Sequence, residues 1–310
     1  MASKILCIID GATDEKFQIS EMLKLMFRGY FLTTPDGYET ESNTCIMNLL
    51  GVENIPKNSR AWFEAKGNGI NLCDNDLVLR TSLVNIKDGI ITSLSNRSDE
   101  IDLPGYFSLG DYKGIMVLKG RANELSDVTS YPVHKHMGER LPEDLGIEQP
   151  LKDEGIYLVP WSPSVKPKIK EWNIEGFAVT GIPLVKGIAK AIGMKSSENQ
   201  EFTGDVDTNI LAKIDMVLDM AEKADFVLLH INGADEAAHR MNEEEKIEFR
   251  NKVIEMVNDK LMSSKHQVVV TSDHGTSSIS GHHMKIKQPY YTNFDIKFNE
   301  SEGIREWLKR

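Results

Sequence analysis

The sequence predicts an α/β protein in which a mostly parallel sheet forms the main domain and a smaller α+β domain is inserted into it. Short continuous apolar runs, such as KILCII (Lys4–Ile9) and FVLLHI (Phe226–Ile231), are typical of strands buried on both faces of a parallel sheet. Helical periodicity surrounds these runs at both ends of the chain but fades in the middle. We therefore expect residues 1–56 and 175–310 to form the main domain, and residues 57–174 the insertion.

Length and composition exclude several classes of protein. The chain has 310 residues, is 40% hydrophobic and carries a formal net charge of −11, which argues against non-specific nucleic-acid binding. It contains no apolar run long enough to span a membrane, and the N-terminus lacks the features of a signal peptide. Three widely spaced cysteines, Cys7, Cys45 and Cys73, indicate neither a disulfide framework nor a thiolate zinc site. We expect a cytoplasmic protein.

Near the N-terminus, Asp10 follows a predicted strand and Ser42 lies near the start of a predicted helix. The strand Lys4–Ile9 ends at Asp10-Gly11, where Asp10 could be a metal ligand or simply part of a turn. A helix is expected over Lys16–Arg28 and another over Thr40–Gly51. Ser42 or Asn43 lies at the start of the second helix. A serine there could be an ordinary N-cap or a nucleophile whose phosphoryl adduct lies on free helix N–H groups.

The middle of the chain has the texture of a small β-rich domain. Short β-like runs occur at Leu77–Leu83, Gly89–Ser93, Gly114–Lys119 and Gly155–Val159. The segment also carries cationic side chains, among them Arg60, Arg80 and Arg121. Most scattered surface charges are simply solvated, so these residues acquire a role only from further evidence.

The C-terminal part returns to alternating strands and helices. Helices are expected at Pro183–Ile192, Asn209–Ala224 and Glu243–Leu261. The strand Phe226–Ile231 is followed by Asp235 and His239, which one helical turn would place on the same face. The strand Val268–Val270 runs into Asp273-His274, and His282 and His283 come soon after.

Three apolar strands therefore each end in carboxylates or imidazoles. Each set alone is weak, because such residues often form turns or solvated helix starts. Ligands bind at the carboxyl ends of the strands in open α/β sheets, so three sets together predict a metal site. Carboxylates and imidazoles without thiolate suit Zn²⁺ or Mn²⁺, and two ions would account for the number of ligands. Beside a serine, two ions suit phosphoryl or sulfuryl transfer.

Longer segments of the sequence resemble one known family. The similar segments are ESNTCIMNLLG (41–51), SRAWFEAKGNGI (59–70), EGFAVTGIPLVKGIAKAIGM (175–194), TGDVDTN (203–209), ADFVLLHINGADEAAH (224–239) and VVVTSDHGT (268–276). In this order they resemble the archaeal-type, cofactor-independent phosphoglycerate mutases, a branch of the alkaline phosphatase superfamily. The resemblance implies an alkaline-phosphatase-like three-layer sandwich with an inserted cap domain.

The same resemblance implies a dimetal enzyme that interconverts 3- and 2-phosphoglycerate through a phosphoserine, without 2,3-bisphosphoglycerate. Matching positions would hold one Mn²⁺ or Zn²⁺ ion with Asp10, Ser42, Asp273 and His274. The second ion would be held by Asp235, His239 and His283, with His283 favoured over His282 by its spacing from Asp273. Ser42 would be the nucleophile, and the substrate, a small phosphorylated metabolite, would be bound by Arg60, Arg80 and Arg121.

The sequence departs from the family around the substrate rather than the metals. The segment between Asp10 and Ser42 is shortened, Asn43 replaces the usual Asp after the serine, and Glu175 occupies a usually cationic position. Two alternatives therefore stay open: a metal-dependent phosphatase or mutase for another phosphorylated or phosphonate metabolite, and a non-catalytic metabolite-binding homologue. A sulfatase-like reaction is disfavoured, because it needs a nucleophile in a different local context.

Overall fold

The computed structural model describes residues 3–16, 26–145, 148–151, 154–299, 304 and 307–308. The chain divides into two compact units, residues 1–55 with 169–310 (unit 1) and residues 56–168 (unit 2). Residues 169–174, which the sequence analysis assigned to the insertion, belong to unit 1. The ring of Trp172 packs edge-on against Phe226 of that unit, with 5.3 Å between the ring centroids.

The described residues form the following strands and helices. Strands β1–β15 are Lys4–Ile9, Phe27–Phe31, Leu77–Lys87, Ile90–Leu94, Tyr106–Ser108, Lys113–Leu118, Glu148–Leu151, Ile156–Ser164, Gly176–Val179, Lys195–Ser196, Phe226–Ile231, Gln267–Thr271, Gly275–Thr276, His283–Met284 and Gln288–Thr292. Helices α1–α6 are Ser42–Leu49, Arg60–Gly67, Pro183–Ala191, Ile210–Ala221, Gly233–His239 and Glu243–Met256. The last helix continues as a π-helical turn over Val257–Leu261.

The central sheet of unit 1 has seven strands in the order β10-β9-β11-β1-β12-β15-β2. The first five run parallel, whereas β15 and β2 are antiparallel to their neighbours. The predicted α/β fold with a mostly parallel sheet is confirmed. The helix expected over Lys16–Arg28 falls mainly on residues 17–25, outside the described residues, and β2 already begins at Phe27.

One hydrophobic cluster of unit 1 lies between one face of this sheet and two helices. Ile5, Cys7 and Ile9 alternate along β1 toward the same hydrophobic cluster as the buried faces of α4 and α6. Each helix begins at an asparagine cap: the Asn209 side chain accepts from the Ala212 N–H and the Asn242 side chain from the Glu245 N–H. Each fully buried aliphatic side chain contributes about 1.5–3 kcal/mol, so the central strands are firmly held.

Unit 2 is built on an antiparallel sheet. Its strands follow the order β5-β6-β3-β8-β7, and β4 also pairs with β3. Hydrophobic clusters around Val84 and around Leu79 fill its core, and α2 packs against β3 and β8. None of the helices in the described part of the chain has the length and apolar character of a transmembrane span.

Candidate metal centre

The register of three parallel strands brings the predicted ligands of unit 1 together. Ile9 of β1 pairs with Ile231 of β11, and Ile8 pairs with Thr271 of β12, so the three strands end side by side. The residues that follow these ends are Asp10, the short helix α5 with Asp235 and His239, and Asp273-His274. Gly11 has φ +63°, and a Cβ there would lie 2.7 Å from the Asp235 Cα, so only glycine permits this approach.

The first ligand group surrounds the Nε2 atom of His274. This atom lies 3.1 Å from Ser42 Oγ, 3.2 Å from Asp273 Oδ2 and 3.5 Å from Asp10 Oδ1. Asp10, Asp273 and His274 are all fully buried. The four side chains that the resemblance assigned to the first ion therefore lie together.

The second ligand group surrounds Asp235. His239 Nε2 lies 3.1 Å from Asp235 Oδ2, and His283 Nε2 lies 3.7 Å from Asp235 Oδ1 and 3.1 Å from His239 Nε2. His283 is half-buried, whereas the neighbouring His282 is exposed to solvent. The His274 ring stacks on that of His283 with 4.0 Å between centroids, so the two groups adjoin. Among the described residues, the ligand atoms of Asp10, Asp273 and His274 lie within 4.8 Å of one another, and so do those of Asp235, His274 and His283. His274 could therefore contribute to either group.

The other ring nitrogen of each histidine is occupied by an oxygen. His239 Nδ1 lies 2.7 Å from the Gly281 carbonyl, His283 Nδ1 lies 2.9 Å from the Thr40 carbonyl, and His274 Nδ1 lies 3.2 Å from Thr276 Oγ1. A carbonyl can only accept, so His239 and His283 donate from Nδ1. This leaves Nε2, which faces the carboxylates, as the atom that could bind a metal ion.

The electrostatics of the two groups differ. Burial and the adjacent Asp10 carboxylate raise the pKa of Asp273 well above its usual value. Burial lowers the pKa of His274 to about 3, so its imidazole is neutral. In the second group, the hydrogen bond with Asp235 raises the pKa of His239 to about 9. Burial opposes ionisation of Asp235, but its contacts with three imidazoles hold its pKa below the usual range.

These groups fit divalent cations. Both carboxylate oxygens of Asp273 are buried, and neither accepts a hydrogen bond from a described residue. An ion would compensate this charge, which is otherwise costly to bury. Ligand atoms about 2.0–2.2 Å from a tetrahedral ion are separated by roughly 3.3–3.6 Å, close to the observed separations. The donor set of oxygen and imidazole nitrogen suits Zn²⁺ or Mn²⁺.

Comparison with known proteins places the chain in a family. The sequence profile of the metalloenzyme superfamily matches residues 12–289. The chain belongs to this superfamily. The prediction of a metal-dependent enzyme is thereby confirmed, whereas the identity of its metals is not given by the superfamily.

Named relatives in the superfamily agree with the resemblance seen in the sequence. The 2,3-bisphosphoglycerate-independent phosphoglycerate mutase of Pyrococcus abyssi is 24% identical, with 99% of this chain and 93% of the relative covered. The enzyme of that name, numbered 2, from Methanothermobacter thermautotrophicus is 25% identical, with 89% and 82% covered. The resemblance to the cofactor-independent phosphoglycerate mutases is confirmed at the level of the family.

Solved structures share the fold. A protein from Pyrococcus horikoshii superposes with a TM-score of 0.70 at 16% identity, covering 98% of this chain and 92% of its own. The cofactor-independent phosphoglycerate mutase of Thermoplasma acidophilum gives a TM-score of 0.53 at 18% identity, with the same coverage. The fold of this superfamily member is therefore that of the mutases.

The predicted substrate arginines lie in unit 2. The Glu64 carboxylate lies 3.3 Å from Arg60 Nε and 2.8 Å from Arg80 Nε. The Arg80 guanidinium also stacks on the Trp161 ring, 4.1 Å from its centroid. Arg121 is exposed and pairs with Glu124 instead. Arg60 and Arg80 thus pair with the same carboxylate, that of Glu64, whereas Arg121 pairs with Glu124.

Sequence reasoning missed the residues that support the predicted ligands. His230 Nε2 donates to Asp10 Oδ2 at 3.0 Å, and Thr180 Oγ1 donates to His230 Nδ1 at 3.3 Å. Burial lowers the pKa of His230 to about 4, so it is neutral. Asp10 therefore presents its other oxygen to the first ligand group. The available signal was a single histidine inside the apolar run FVLLHI, which resembles an ordinary core residue.

A second missed contact fixes the loops around the centre. The buried Lys246 ammonium donates to the Thr13 carbonyl, the Thr276 carbonyl and Asp14 Oδ2. Asp14 also accepts from the N–H and the hydroxyl of Ser278. Asp14, which follows the Asp10 turn, is therefore an ion-pair partner and stands apart from both ligand groups.

Proposed function

We propose that the protein is a dimetal phosphotransferase in which Ser42 is the nucleophile and 3- and 2-phosphoglycerate are the substrates. One observation carries the proposal: Ser42 Oγ, in the first turn of α1, lies 3.1 Å from His274 Nε2 amid the buried ligand group. Ser42 is the first residue of the helix and Glu41 is its N-cap, so capping does not account for the position of the Ser42 hydroxyl. The named relatives support the choice of substrate.

The ions would be divided between the two groups. Asp10, Ser42, Asp273 and His274 would hold one Mn²⁺ or Zn²⁺ ion, and Asp235, His239 and His283 the other. When bound, such ions lower the pKa of a serine hydroxyl and neutralise the non-bridging oxygens of a phosphate.

The chain's own residues would perform the transfer. Ser42 Oγ forms a bond to phosphorus as the bond from phosphorus to the substrate oxygen breaks, which leaves a phosphoserine and a free hydroxyl. Return of the phosphoryl group to the other hydroxyl of the same glycerate completes the isomerisation without 2,3-bisphosphoglycerate. Unit 2 would serve as the cap, binding the substrate anion through Arg60, Arg80 and Arg121.

The test is incubation with 3-phosphoglycerate and Mn²⁺, following 2-phosphoglycerate and free phosphate together. We expect 2-phosphoglycerate as the main product and a phosphorylated peptide containing Ser42 after acid quenching. Ser42→Ala should lose both, while the control Ser263→Ala, whose hydroxyl bonds only backbone carbonyls in the described structure, should keep them. Full activity of Ser42→Ala would contradict the mechanism.

A phosphatase is the second candidate, and the pairing of the arginines favours it. Arg60 and Arg80 share the charge of the buried Glu64 carboxylate, which would reduce their attraction for the carboxylate of a released glycerate. Water would then compete for phospho-Ser42. Free phosphate without 2-phosphoglycerate in the same assay would select this function over the mutase.

A further inference from the structure

The side-chain hydroxyl of Thr276 lies between the two ligand groups. Its Oγ1 donates to Asp235 Oδ1 at 2.6 Å and lies 3.2 Å from His274 Nδ1. Thr276 is fully buried, so no solvent competes for these contacts. A single side chain thus touches a predicted ligand of each ion.

The chemistry of one hydroxyl assigns both contacts. A hydroxyl has one proton, and an ionised carboxylate can only accept, so the Thr276 proton goes to Asp235. The oxygen must then accept at its other contact, which places a proton on His274 Nδ1. His274 Nε2 is thereby left with its lone pair facing Ser42, Asp273 and Asp10.

The backbone holds this hydroxyl in place from three sides. The Thr276 N–H donates to the Thr13 carbonyl at 3.1 Å, and its own carbonyl accepts from the Lys246 ammonium. In the β13–β14 pair, Thr276 stands directly opposite His283, a predicted ligand of the second ion. Movement of the threonine would therefore disturb both groups together.

We propose that Thr276 is a positioning residue that joins the two metal sites, fixing the tautomer of His274 in one and the carboxylate of Asp235 in the other. The inference rests on the proposed function in requiring that these groups bind ions. Loss of the Thr276 hydroxyl should therefore lower the affinity for both ions, whereas loss of a direct ligand such as His239 should chiefly lower the affinity for one. Outer contacts of this kind are typically worth about 10–100-fold in metal affinity.

The experiment compares metal binding by the full chain and its variants, using Mn²⁺ alone as the titrant after chelation. Thr276→Val keeps the shape but removes the hydroxyl, and should weaken binding at both sites by about 10–100-fold. Thr276→Ser should restore both affinities to within a few fold. The matched control is Thr292→Val, because Thr292 is equally buried and its hydroxyl bonds the Phe294 carbonyl and Arg28.

A second readout does not depend on metal or activity. Nitrogen-15 NMR of the histidine rings in the metal-free chain should show His274 protonated at Nδ1, with this form depleted in Thr276→Val and recovered in Thr276→Ser. An unchanged tautomer in Thr276→Val would show that another neighbour sets the protonation of His274 and would overturn the proposal. Weakening at one site only, or no rescue by serine, would also overturn it. Failure of the wild-type chain to bind ions would refute the proposed function instead, and the NMR result would still decide the role of Thr276.

Discussion

Replacing Asp273 by asparagine should stabilise the metal-free protein and remove most of the stability gained from metal. Asp273 is fully buried, and burial together with Asp10 raises the pKa of its carboxyl group well above the usual value. Its folded-state pKa exceeds its unfolded value, so its contribution to stability is lost as pH rises through the folded pKa. Asparagine has nearly the same shape as aspartate but no ionisable group, so it removes this loss of stability.

The expected magnitudes follow from the burial and the ligand sets. In the metal-free state, replacing the buried, uncompensated carboxyl group by a neutral amide should raise the free energy of unfolding by about 1–3 kcal/mol. Each ion present at 100 times its dissociation constant stabilises the folded chain by about 2.7 kcal/mol. For the wild type, two ions would raise the melting temperature by roughly 10–20 °C, at about 2–4 °C per kcal/mol. Asp273→Asn should retain at most about half of this gain.

The assay is thermal unfolding at pH 8 with either EDTA or Mn²⁺, and Asp14→Asn is the matched control. Asp14 is another buried aspartate beside the centre, but Lys246 and Ser278 pair with it. Its replacement leaves the buried Lys246 without its ion-pair partner and should lower the stability by about 3–5 kcal/mol in both conditions, but it should retain most of the metal-dependent gain, because Asp14 belongs to neither ligand group. If Asp273→Asn behaved like Asp14→Asn, the assignment of Asp273 as a ligand would be refuted.

Three further predictions test the surroundings of the centre. Gly11→Ala would force a Cβ to 2.7 Å from the Asp235 Cα at φ +63°, so Mn²⁺ titration should show affinity lowered by at least tenfold; unchanged affinity would refute the need for glycine. Lys213 is buried, and burial lowers its pKa to about 8, so in urea unfolding Lys213→Met should be more stable by at most about 3 kcal/mol at pH 7. The wild-type stability should rise between pH 8 and 10, as Lys213 in the folded chain releases its proton, so the difference in stability between wild type and Lys213→Met should shrink. A difference that stays constant with pH would contradict the lowered pKa of Lys213. Arg80→Lys loses the stacking on Trp161 and should raise the KM for 3-phosphoglycerate about tenfold with kcat little changed, whereas Lys195→Arg, at an exposed pair with Glu175, should change neither.

The parts of the fold that could be predicted are those whose sequence pattern reflects burial directly. Strands β1 and β11 have the expected bounds because parallel strands covered on both faces are continuous apolar runs. The meeting of Asp10, Asp235 and Asp273 followed from the same reasoning, since neighbouring parallel strands end at one edge. Strand β2 could not be predicted, because among the described strands its sequence FRGYF pairs with β15, which lies far away in the chain.

The support around the ligands was also beyond prediction from the sequence. Nothing in the sequence distinguishes His230 from a core histidine or Lys246 from a helix-surface lysine; only the packed structure shows their buried partners. The choice between His282 and His283 depends on register, because a one-residue shift in β14 exchanges the side chain that points inward. The pairing of Thr276 with His283 gives that register.

The most direct test of the central claim is the anomalous diffraction of a crystal grown with Mn²⁺. The account predicts two ions. One should lie about 2.0–2.3 Å from the Asp10, Asp273 and His274 ligand atoms, beside Ser42 Oγ, and the other at a similar distance from Asp235, His239 and His283. Ions bound elsewhere, or these side chains turned away from any ion, would contradict it.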